Sequence, residues 1–443
     1  MDAVLLDKLR AIVGPAHVLS GVDLSPYVLD GRTPEAAVFP GSIEEIRAVI
    51  AAAGDAHVPV MAWGGGTAVA VGRPPRAPGI VLGLRRLNRL LEHEPGDLTA
   101  TVQGGMVFSA LQATLRERGQ WVSLDPPDPE RATLGGVIAA NASGPRRHLY
   151  GTARDLLIGL TVVTGDAAVV RGGGKVVKNV AGYDLPKLFI GSHGTLGVIV
   201  DLTLKLRPRP EAERWLAVPF DGLKDAAAAV RNLMMSDLIP TAIELLDAEA
   251  SRGLEASLAT SSSAGTLVVG FDGLREQVDW QCDELRRLTI PLGAREALPL
   301  SPEACARLGS AARDAFTETA AVMRVSTVPS QVAEIMGQGA VAARARGLTS
   351  AWSAHAGAGV LTGALALPRD GVEATSVVAV LTEWRAAARA SGGYATLEWA
   401  PLAVKSQVPV WDDLGAAGRL MQRIKERLDP HDILSPGRFL GGA

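Results

Sequence analysis

The chain has 443 residues, 47% of them hydrophobic, and a formal net charge of −3 at pH 7. This length exceeds what one compact core supports, so it favours two domains or one domain with a large cap. The small net charge gives no electrostatic basis for binding nucleic acid or an anionic membrane. No run of about 18 apolar residues is present, and the sequence therefore predicts no transmembrane helix.

The two cysteines, Cys282 and Cys305, indicate a reducing compartment. They are too few for an iron–sulfur cluster held by thiolates alone, which needs about four ligands. The N-terminal stretch MDAVLLDKLRAIVG has leucines at helical spacing and acidic residues, so it predicts an amphipathic helix and not a secretory signal. We therefore expect a cytoplasmic chain, with any contact to the inner face of the membrane made through partners, and any one-electron carrier on another polypeptide.

In chain order, residues 1–34 are predicted to form a helix and a turn-rich lead-in. Ser42, with Glu45 three residues later, matches a capping box at the start of a helix that Gly54 ends. Strands are then predicted at 36–39, 58–63, 80–84, 99–103, 156–164, 168–171, 175–180 and 198–206, with further helices at 107–118 and 185–189.

Prolines in 207–210 indicate a domain boundary. From Trp215 onwards, strands and helices alternate with a self-similarity of roughly 80 to 100 residues. This pattern predicts two ferredoxin-like halves that form one antiparallel sheet with helices on one side. The first set of elements is 215–220, 223–235, 242–246, 266–271 and 278–288, the second is 322–328, 332–346, 350–356, 359–367 and 372–390, and a last helix is predicted at 414–428.

Two glycine-rich segments are candidates for ligand binding. Gly64-Gly65-Gly66-Thr67 follows a buried strand directly, and small residues crowd the segment from Gly135 to Gly144. Glycine leaves backbone amides uncovered, so two such segments suit a diphosphate held by main-chain N–H groups. Tight turns with close packing are the alternative interpretation of either segment alone.

Other nucleotide-binding patterns are absent. Around Gly174-Lys175, the positions where a Walker A loop needs glycine and a hydroxyl residue hold Val169 and Val176. No G-x-G-x-x-G joins a strand to a helix with an acidic residue about 20 positions later. The sequence therefore argues against a P-loop and against a nicotinamide-binding Rossmann domain.

The stretches PVMAWGGGT, PPDPERATLGGVIAANASG and GYDLPKLFIGSHGTLGVI together resemble the FAD-binding fold of the vanillyl-alcohol oxidase and p-cresol methylhydroxylase (PCMH) superfamily. GPRRHLYGTARDLLIGLTVVTGD, GGKVVKNVAGYDLPKLF and KERLDPHDILSPGRF are similar to FAD-binding subunits of bacterial glycolate oxidase complexes. The resemblance implies an α+β fold: a two-subdomain PCMH-type domain at 35–210, a ferredoxin-like cap at 211–400, and a C-terminal segment at 401–443 that returns to the flavin.

The resemblance also implies the residues that bind FAD. Histidine or cysteine attaches the flavin covalently in some members, but residues 63–67 hold no histidine, so we expect FAD to be dissociable. The implied FAD-binding residues are Gly64, Gly65, Gly66 and Thr67 at the diphosphate, Thr133, Gly135, Gly136, Asn141, Ser143 and Gly144 on the other side of the cofactor, and Val198 and Ile199 near the adenine.

The resemblance further bears on catalysis. Single-chain 2-hydroxy-acid dehydrogenases of this superfamily hold a divalent metal with the pattern H-x-G-x-G-x-x-H, which here runs from His355 to Thr362 and lacks the second histidine. Because a metal wants three or more protein ligands, we expect none here, and we expect His355 to be a packed strand residue. Arg324 is the candidate for a substrate carboxylate, against the alternative of an edge or surface arginine, and His431 is the candidate for proton transfer.

These implications lead to one leading hypothesis and two alternatives. The first is an FAD-binding subunit that oxidises a small 2-hydroxy acid to the 2-oxo acid, together with a sister flavoprotein subunit and an iron–sulfur subunit that accepts electrons. The second is a self-sufficient FAD-dependent 2-hydroxy-acid dehydrogenase. The third is a non-catalytic scaffold of the same fold that has lost its cofactor.

Overall fold

A computed structural model describes residues 3–175, 183–254, 258, 263–367 and 374–439. The predicted strand at 175–180 lies outside these residues, apart from Lys175. Two compact units are present: the first unit contains 1–142, 152–209 and 413–443, and the second unit contains 143–151 and 210–412. This division differs from the domain limits expected from the sequence, because 143–151 and 401–412 group with the second unit.

Within the described residues, the helices are α1 Ala3–Val13, α2 Ile43–Asp55, α3 Phe108–Arg116, α4 Leu134–Ala140, α5 Arg147–Tyr150, α6 Ala153–Leu156, α7 Pro186–Phe189, α8 Leu223–Met234, α9 Ala248–Leu254, α10 Arg275–Thr289, α11 Pro302–Arg307, α12 Val332–Arg344, α13 Ala374–Ala390, α14 Leu402–Lys405 and α15 Gly415–Leu428. Over the same part of the chain, no helix has both the length and the apolar character that a bilayer crossing requires.

The strands are β1 Val18–Leu19, β2 Ala36–Val38, β3 Val60–Trp63, β4 Ile80–Gly83, β5 Leu90–Glu94, β6 Thr99–Gln103, β7 Gln120–Trp121, β8 Leu157–Val163, β9 Val169–Gly173, β10 Val198–Lys205, β11 Arg207–Pro208, β12 Ala212–Phe220, β13 Ala242–Asp247, β14 Gly265–Gly273, β15 Leu298–Pro299, β16 Thr319–Ser326, β17 Ser350–His355, β18 Val360–Ala366 and β19 Tyr394–Trp399.

The first unit contains a four-stranded sheet in the order β1-β2-β4-β3, with β4 parallel to both β2 and β3. Helices α1 and α2 share a core with it. Ser42 caps α2 as predicted, since its hydroxyl accepts the N–H of Glu45 at 3.1 Å. The Glu45 carboxylate accepts the N–H of Gly41 at 2.7 Å, one residue before the position that a capping box predicts.

A second sheet in the first unit is five-stranded and antiparallel, in the order β5-β6-β10-β8-β9. Strand β10 alternates between two cores: Val198 and Val200 pack with the four-stranded sheet, whereas Ile199 and Leu202 pack with α3 and α4. Residues 198–200 follow the period of two that a buried strand shows, and a register shift between Ile199 and Asp201 turns Leu202 to the same side as Ile199, so this one strand joins the two halves of the unit.

The second unit is built on one eight-stranded antiparallel sheet, in the order β15-β12-β14-β13-β17-β18-β16-β19. Helices α8, α10, α12 and α13 cover one face, where Leu216 and Val218 point. Helices α9 and α11 pack on the opposite face, against Trp215 and Ala217. The single antiparallel sheet is confirmed, but helices lie on both faces, because alternate residues of β12 to β14 are apolar on each side.

Candidate functional site

The first glycine segment lies directly against the backbone that precedes α4. A Cβ built on Gly65 would be 1.7 Å from the carbonyl oxygen of Arg131, and one on Gly64 would be 2.2 Å from Oγ1 of Thr133. No side chain fits at either position, so glycine is required by the close approach of two chain segments. The structure therefore brings together the two glycine-rich segments that the sequence singled out.

Among the described residues, no acceptor receives a hydrogen bond from the backbone N–H groups of Gly64, Gly65, Gly66 or Thr67. The four residues are half-buried. Four neighbouring N–H donors without a protein acceptor form the kind of backbone arrangement that binds an anion.

Helix α4 carries the second group of predicted residues. Thr133 caps its start, accepting the N–H of Gly136 at 3.3 Å, and the Gly135 N–H donates to the carbonyl of Gly104 at 2.8 Å. Asn141 ends the helix in the left-handed conformation, with φ 49°, and is exposed. These hydrogen bonds hold the predicted residues of α4 in a defined arrangement, and Gly104, which the sequence did not single out, belongs to it.

The turn at 191–197 completes this arrangement in the first unit. The Gly191 and His193 N–H groups donate to the carbonyls of Ile138 and Ala139 in α4, at 3.1 and 2.8 Å. A Cβ on Gly194 would lie 3.4 Å from the Cβ of Ala62, in the strand that leads into the first glycine segment. Three segments far apart in sequence thus meet around the unpartnered amides.

Four of the predicted FAD-binding residues lie outside the first glycine segment and α4. Val198 and Ile199 bury their side chains in separate cores, with exposed fractions of 0% and 4%, so only their main chain is able to contact a cofactor. Ser143 and Gly144 belong to the second unit. The Ser143 hydroxyl is buried and has no hydrogen-bond partner among the described residues, which marks it as a group that awaits one.

The C-terminal residues pack beside the first glycine segment. Leu434 pairs with Val60 in β3, and the buried Arg438 donates from Nη2 to the carbonyl of Val71 at 2.8 Å and also to that of Val69. Burial lowers the pKa of Arg438 to about 10, with the charge of Asp30 opposing this change. Arg438 therefore stays protonated at neutral pH and holds the loop that follows the glycines.

His431 does not reach the same place. It is exposed and lies beside Gly54, whose Cβ would be 3.5 Å from the ring, and its ring centroid is 6.3 Å from that of His57. These neighbours precede β3, whereas the glycine segment follows the other end of that strand. The approach of His431 to the flavin therefore stays a prediction, which these contacts do not support.

In the second unit, His355 is hydrogen-bonded and does not merely pack. Its Nδ1 lies 2.7 Å from Oε1 of Glu244, a residue only 1% exposed. Strands β13 and β17 bring the two residues directly opposite one another. A histidine oriented by a buried carboxylate has the geometry of a proton acceptor. Glu244 was not predicted, although one acid within the apolar run AIELL was a signal for it.

The other polar groups of the second unit include Arg324, which is already paired. Its Nη1 lies 3.1 Å from Oε1 of Glu398, with both side chains partly buried. A guanidinium with a carboxylate partner is a weaker candidate for receiving a substrate carboxylate than the sequence suggested. Among the described residues, no group of three histidine, cysteine or carboxylate side chains is arranged to hold a metal ion.

The segment 143–151 places a further histidine, His148, beside Gly357. A Cβ on Gly357, two residues after His355, would lie 2.4 Å from Nδ1 of His148. The segment is fixed by Tyr150, whose hydroxyl donates to the Asp272 carboxylate at 2.8 Å, and by Arg146, which pairs with Glu213. Burial lowers the pKa of His148 below its usual 6.5.

This burial predicts a pH dependence of stability. Because the neutral ring of His148 is favoured in the folded state, the unfolded chain binds more protons below about pH 6.5, and the free energy of unfolding falls as the pH falls. We expect His148→Gln to reduce that slope. Urea titrations of both proteins at about pH 7.5 and 5.5 measure it; equal slopes would contradict the assignment.

Two family models match the chain. The model described as FAD binding domain matches residues 34–173, and the model described as FAD linked oxidases, C-terminal domain matches residues 209–439. The cradle described above fits a dinucleotide, because its glycines let the segment lie directly against the backbone at Arg131 and against Thr133, and its amides, which have no acceptor among the described residues, suit a diphosphate.

Curated relatives act on 2-hydroxy acids according to their names. The chain is 32% identical to D-2-hydroxyglutarate dehydrogenase of Xanthomonas citri pv. viticola, over 92% of this chain and 89% of that protein. It is 30% identical to D-lactate dehydrogenase of Anaerostipes hadrus, over 71% and 69%. The glycolate oxidase subunit GlcD of Bacillus subtilis is 34% identical, but over only 58% of this chain and 55% of that one.

Solved structures agree on the fold. p-Cresol methylhydroxylase with substrate bound has a TM-score of 0.79 at 20% identity, covering 98% of this chain and 96% of that chain. Alkyldihydroxyacetonephosphate synthase has a TM-score of 0.76 at 18% identity, with coverage of 99% and 86%. Domain models, relatives and fold all agree with the glycine cradle, and the chain is an FAD-dependent oxidoreductase that belongs to the FAD-linked oxidase family.

Proposed function

We propose that this chain oxidises a small 2-hydroxy acid, glycolate or D-lactate, to the corresponding 2-oxo acid and passes the electrons to an iron–sulfur subunit. The names of the relatives support the substrate class. The observation that carries the proposal is the run of unpartnered amides at Gly64–Thr67, closed in by glycines that admit no side chain.

FAD, when bound, supplies the acceptor for the hydride that leaves the substrate carbon. The amides of 64–67 hold the diphosphate, and the residues of α4 line the other side of the cofactor: Thr133, Gly135, Gly136 and Asn141. The main chain of Val198 and Ile199 contributes near the adenine. No histidine lies in residues 63–67, which supports attachment without a covalent bond.

Oxidation of a hydroxyl group also needs a proton acceptor. His355 is the candidate, because the buried Glu244 carboxylate holds one ring nitrogen and stabilises the ring once it carries a proton. Glu244 is a positioning residue, since it acts through His355. His355 would accept the proton of the substrate hydroxyl. With such a base, the chain would carry out the substrate half-reaction without a metal.

A second candidate function is that of an electron-relaying subunit, in which a sister flavoprotein subunit carries out the substrate chemistry. Two observations favour it: Thr362 stands where single-chain relatives have the second metal-binding histidine, and Arg324 is occupied by Glu398. In both proposals the complex works on the cytoplasmic side, and any attachment to the membrane is made through partner subunits.

Anaerobic mixing of the purified, flavin-loaded chain with glycolate, D-lactate and 2-hydroxyglutarate tests the proposal. We expect the absorbance of the oxidised flavin to bleach with at least one of these acids and the matching 2-oxo acid to appear. Bleaching by the chain alone supports the first proposal. Bleaching that needs the sister subunit supports the second candidate, and no bleaching under either condition contradicts both.

A further inference from the structure

Helix α15 carries a row of arginines on its outer side. Arg419, Arg423 and Arg427 are exposed and recur every four residues, so they line one side of the helix over about 12 Å. None of the three guanidinium groups forms an ion pair or hydrogen bond with any of the residues that the structure describes. We call these three residues the arginine stripe.

The surroundings of the stripe are those of a protein interface. Leu420 beside it is 61% exposed and Leu414, just before the helix, is 40% exposed. Arginine is enriched in interfaces between proteins, and exposed leucines beside it add apolar surface that a partner can cover. A helix that lies in a lipid surface needs a broad apolar face, and two exposed leucines do not supply one. The stripe therefore suits an acidic protein surface better than a membrane.

The inner side of α15 is anchored on the flavin site. Nζ of Lys425 donates to the carbonyl of Thr195 at 3.0 Å and to that of Leu434 at 2.8 Å, and it also pairs with Asp429. Thr195 lies in the turn at 191–197, whose amides bond to α4. A protein seated on the stripe is thus separated from the flavin-binding turn by a single helix.

We propose that the arginine stripe is the docking surface for an acidic one-electron carrier protein that collects electrons from the bound FAD; this inference rests on the proposed function. Oxidation of one 2-hydroxy acid releases two electrons and two protons. Two carrier molecules accept one electron each, and the protons pass to water. Unpaired arginines steer an acidic partner and fix its orientation, so docking weakens as salt is added.

The probe is the soluble haem domain of cytochrome b5, an acidic one-electron carrier. The wild-type holoenzyme and its double variant Arg419→Glu/Arg423→Glu are compared in two rates: the rate at which each reduces the probe and the rate at which each reduces a small neutral dye. We expect the variant to reduce the probe about tenfold more slowly at low salt, and with less salt dependence, while turnover with the dye is retained. Calorimetry is expected to show the same loss in binding of the probe.

The matched control is Arg116→Glu/Arg118→Glu. These arginines are also exposed, their side chains have no partners among the described residues, and the double variant makes the same change in net charge. We expect this control to alter probe reduction less than about twofold. Equal losses in both double variants would overturn the proposal, because overall charge would then explain them, and so would an unchanged rate in Arg419→Glu/Arg423→Glu.

Two other outcomes, binding to lipid and failure of the proposed function, can be told apart from carrier docking. Flotation with anionic phosphatidylglycerol vesicles that is lost in Arg419→Glu/Arg423→Glu, with probe binding unchanged, would overturn the proposal in favour of a lipid surface. If no 2-hydroxy acid reduces the flavin, the proposed function fails, but calorimetric binding of the probe still decides the role of the stripe. Should the double glutamate variant lose its flavin, Arg419→Gln/Arg423→Gln takes its place, with the same expected direction.

Discussion

Replacing Gly65 with alanine is expected to give a protein that purifies almost without flavin. The new Cβ would lie 1.7 Å from the carbonyl oxygen of Arg131, which is backbone and has no rotamer by which to move away. The segment 64–67 must then shift, and its amides leave the position that receives the diphosphate. We expect FAD binding to weaken at least about 100-fold, or about 2.7 kcal/mol, in titrations of the apoprotein that follow flavin fluorescence.

Gly96→Ala is the matched control for this experiment. Gly96 also belongs to the first unit, but a Cβ there meets nothing within 4 Å. We expect the flavin content of Gly96→Ala to equal that of the wild type. Acid precipitation of the wild type is expected to release its flavin into solution, because the flavin is not covalently attached. A Gly65→Ala protein that binds FAD normally would show that this segment does not hold the cofactor. A thermal melt of each apoprotein separates lost binding from lost folding.

Replacing His355 with asparagine is expected to slow reduction of the flavin by the 2-hydroxy acid by about 10²- to 10⁴-fold, the range that a general base contributes. Flavin content should stay the same, because His355 lies in the second unit and the amide cradle in the first. Stopped-flow mixing of oxidised enzyme with substrate measures the rate without any electron acceptor, which isolates this half-reaction from electron transfer.

Glu244→Gln tests the positioning role. The amide keeps the size of the side chain but loses the charge that orients the ring of His355, so we expect a smaller loss in the rate of flavin reduction, of about 10- to 100-fold, with little change in the substrate concentration that half-saturates the rate. A purely structural role would instead lower the melting temperature and leave the rate of the folded protein unchanged. His57→Asn is the control, since His57 is exposed and its left-handed φ of 52° suits asparagine.

Much of the architecture was predictable from local pattern. Ser42 capped α2 as expected, and β10 and α15 lie within two residues of their predicted limits. Hydrophobic period and capping chemistry are properties of neighbouring residues, so the sequence reports them directly. The Glu45 side chain bonds one residue earlier than the capping box predicts, because its choice among nearby N–H groups depends on how the chain enters the helix.

The amino-acid sequence by itself determined the family, the cofactor and the two glycine segments, because motif order and small residues need no coordinates to be recognised. Only the tertiary structure decided that Gly65 abuts Arg131, that Glu244 lies under His355 from 111 positions away, and that His431 stands at the other end of β3 from the glycines. Those relations depend on strand register and on how distant segments pack, and no local pattern of residues encodes either one.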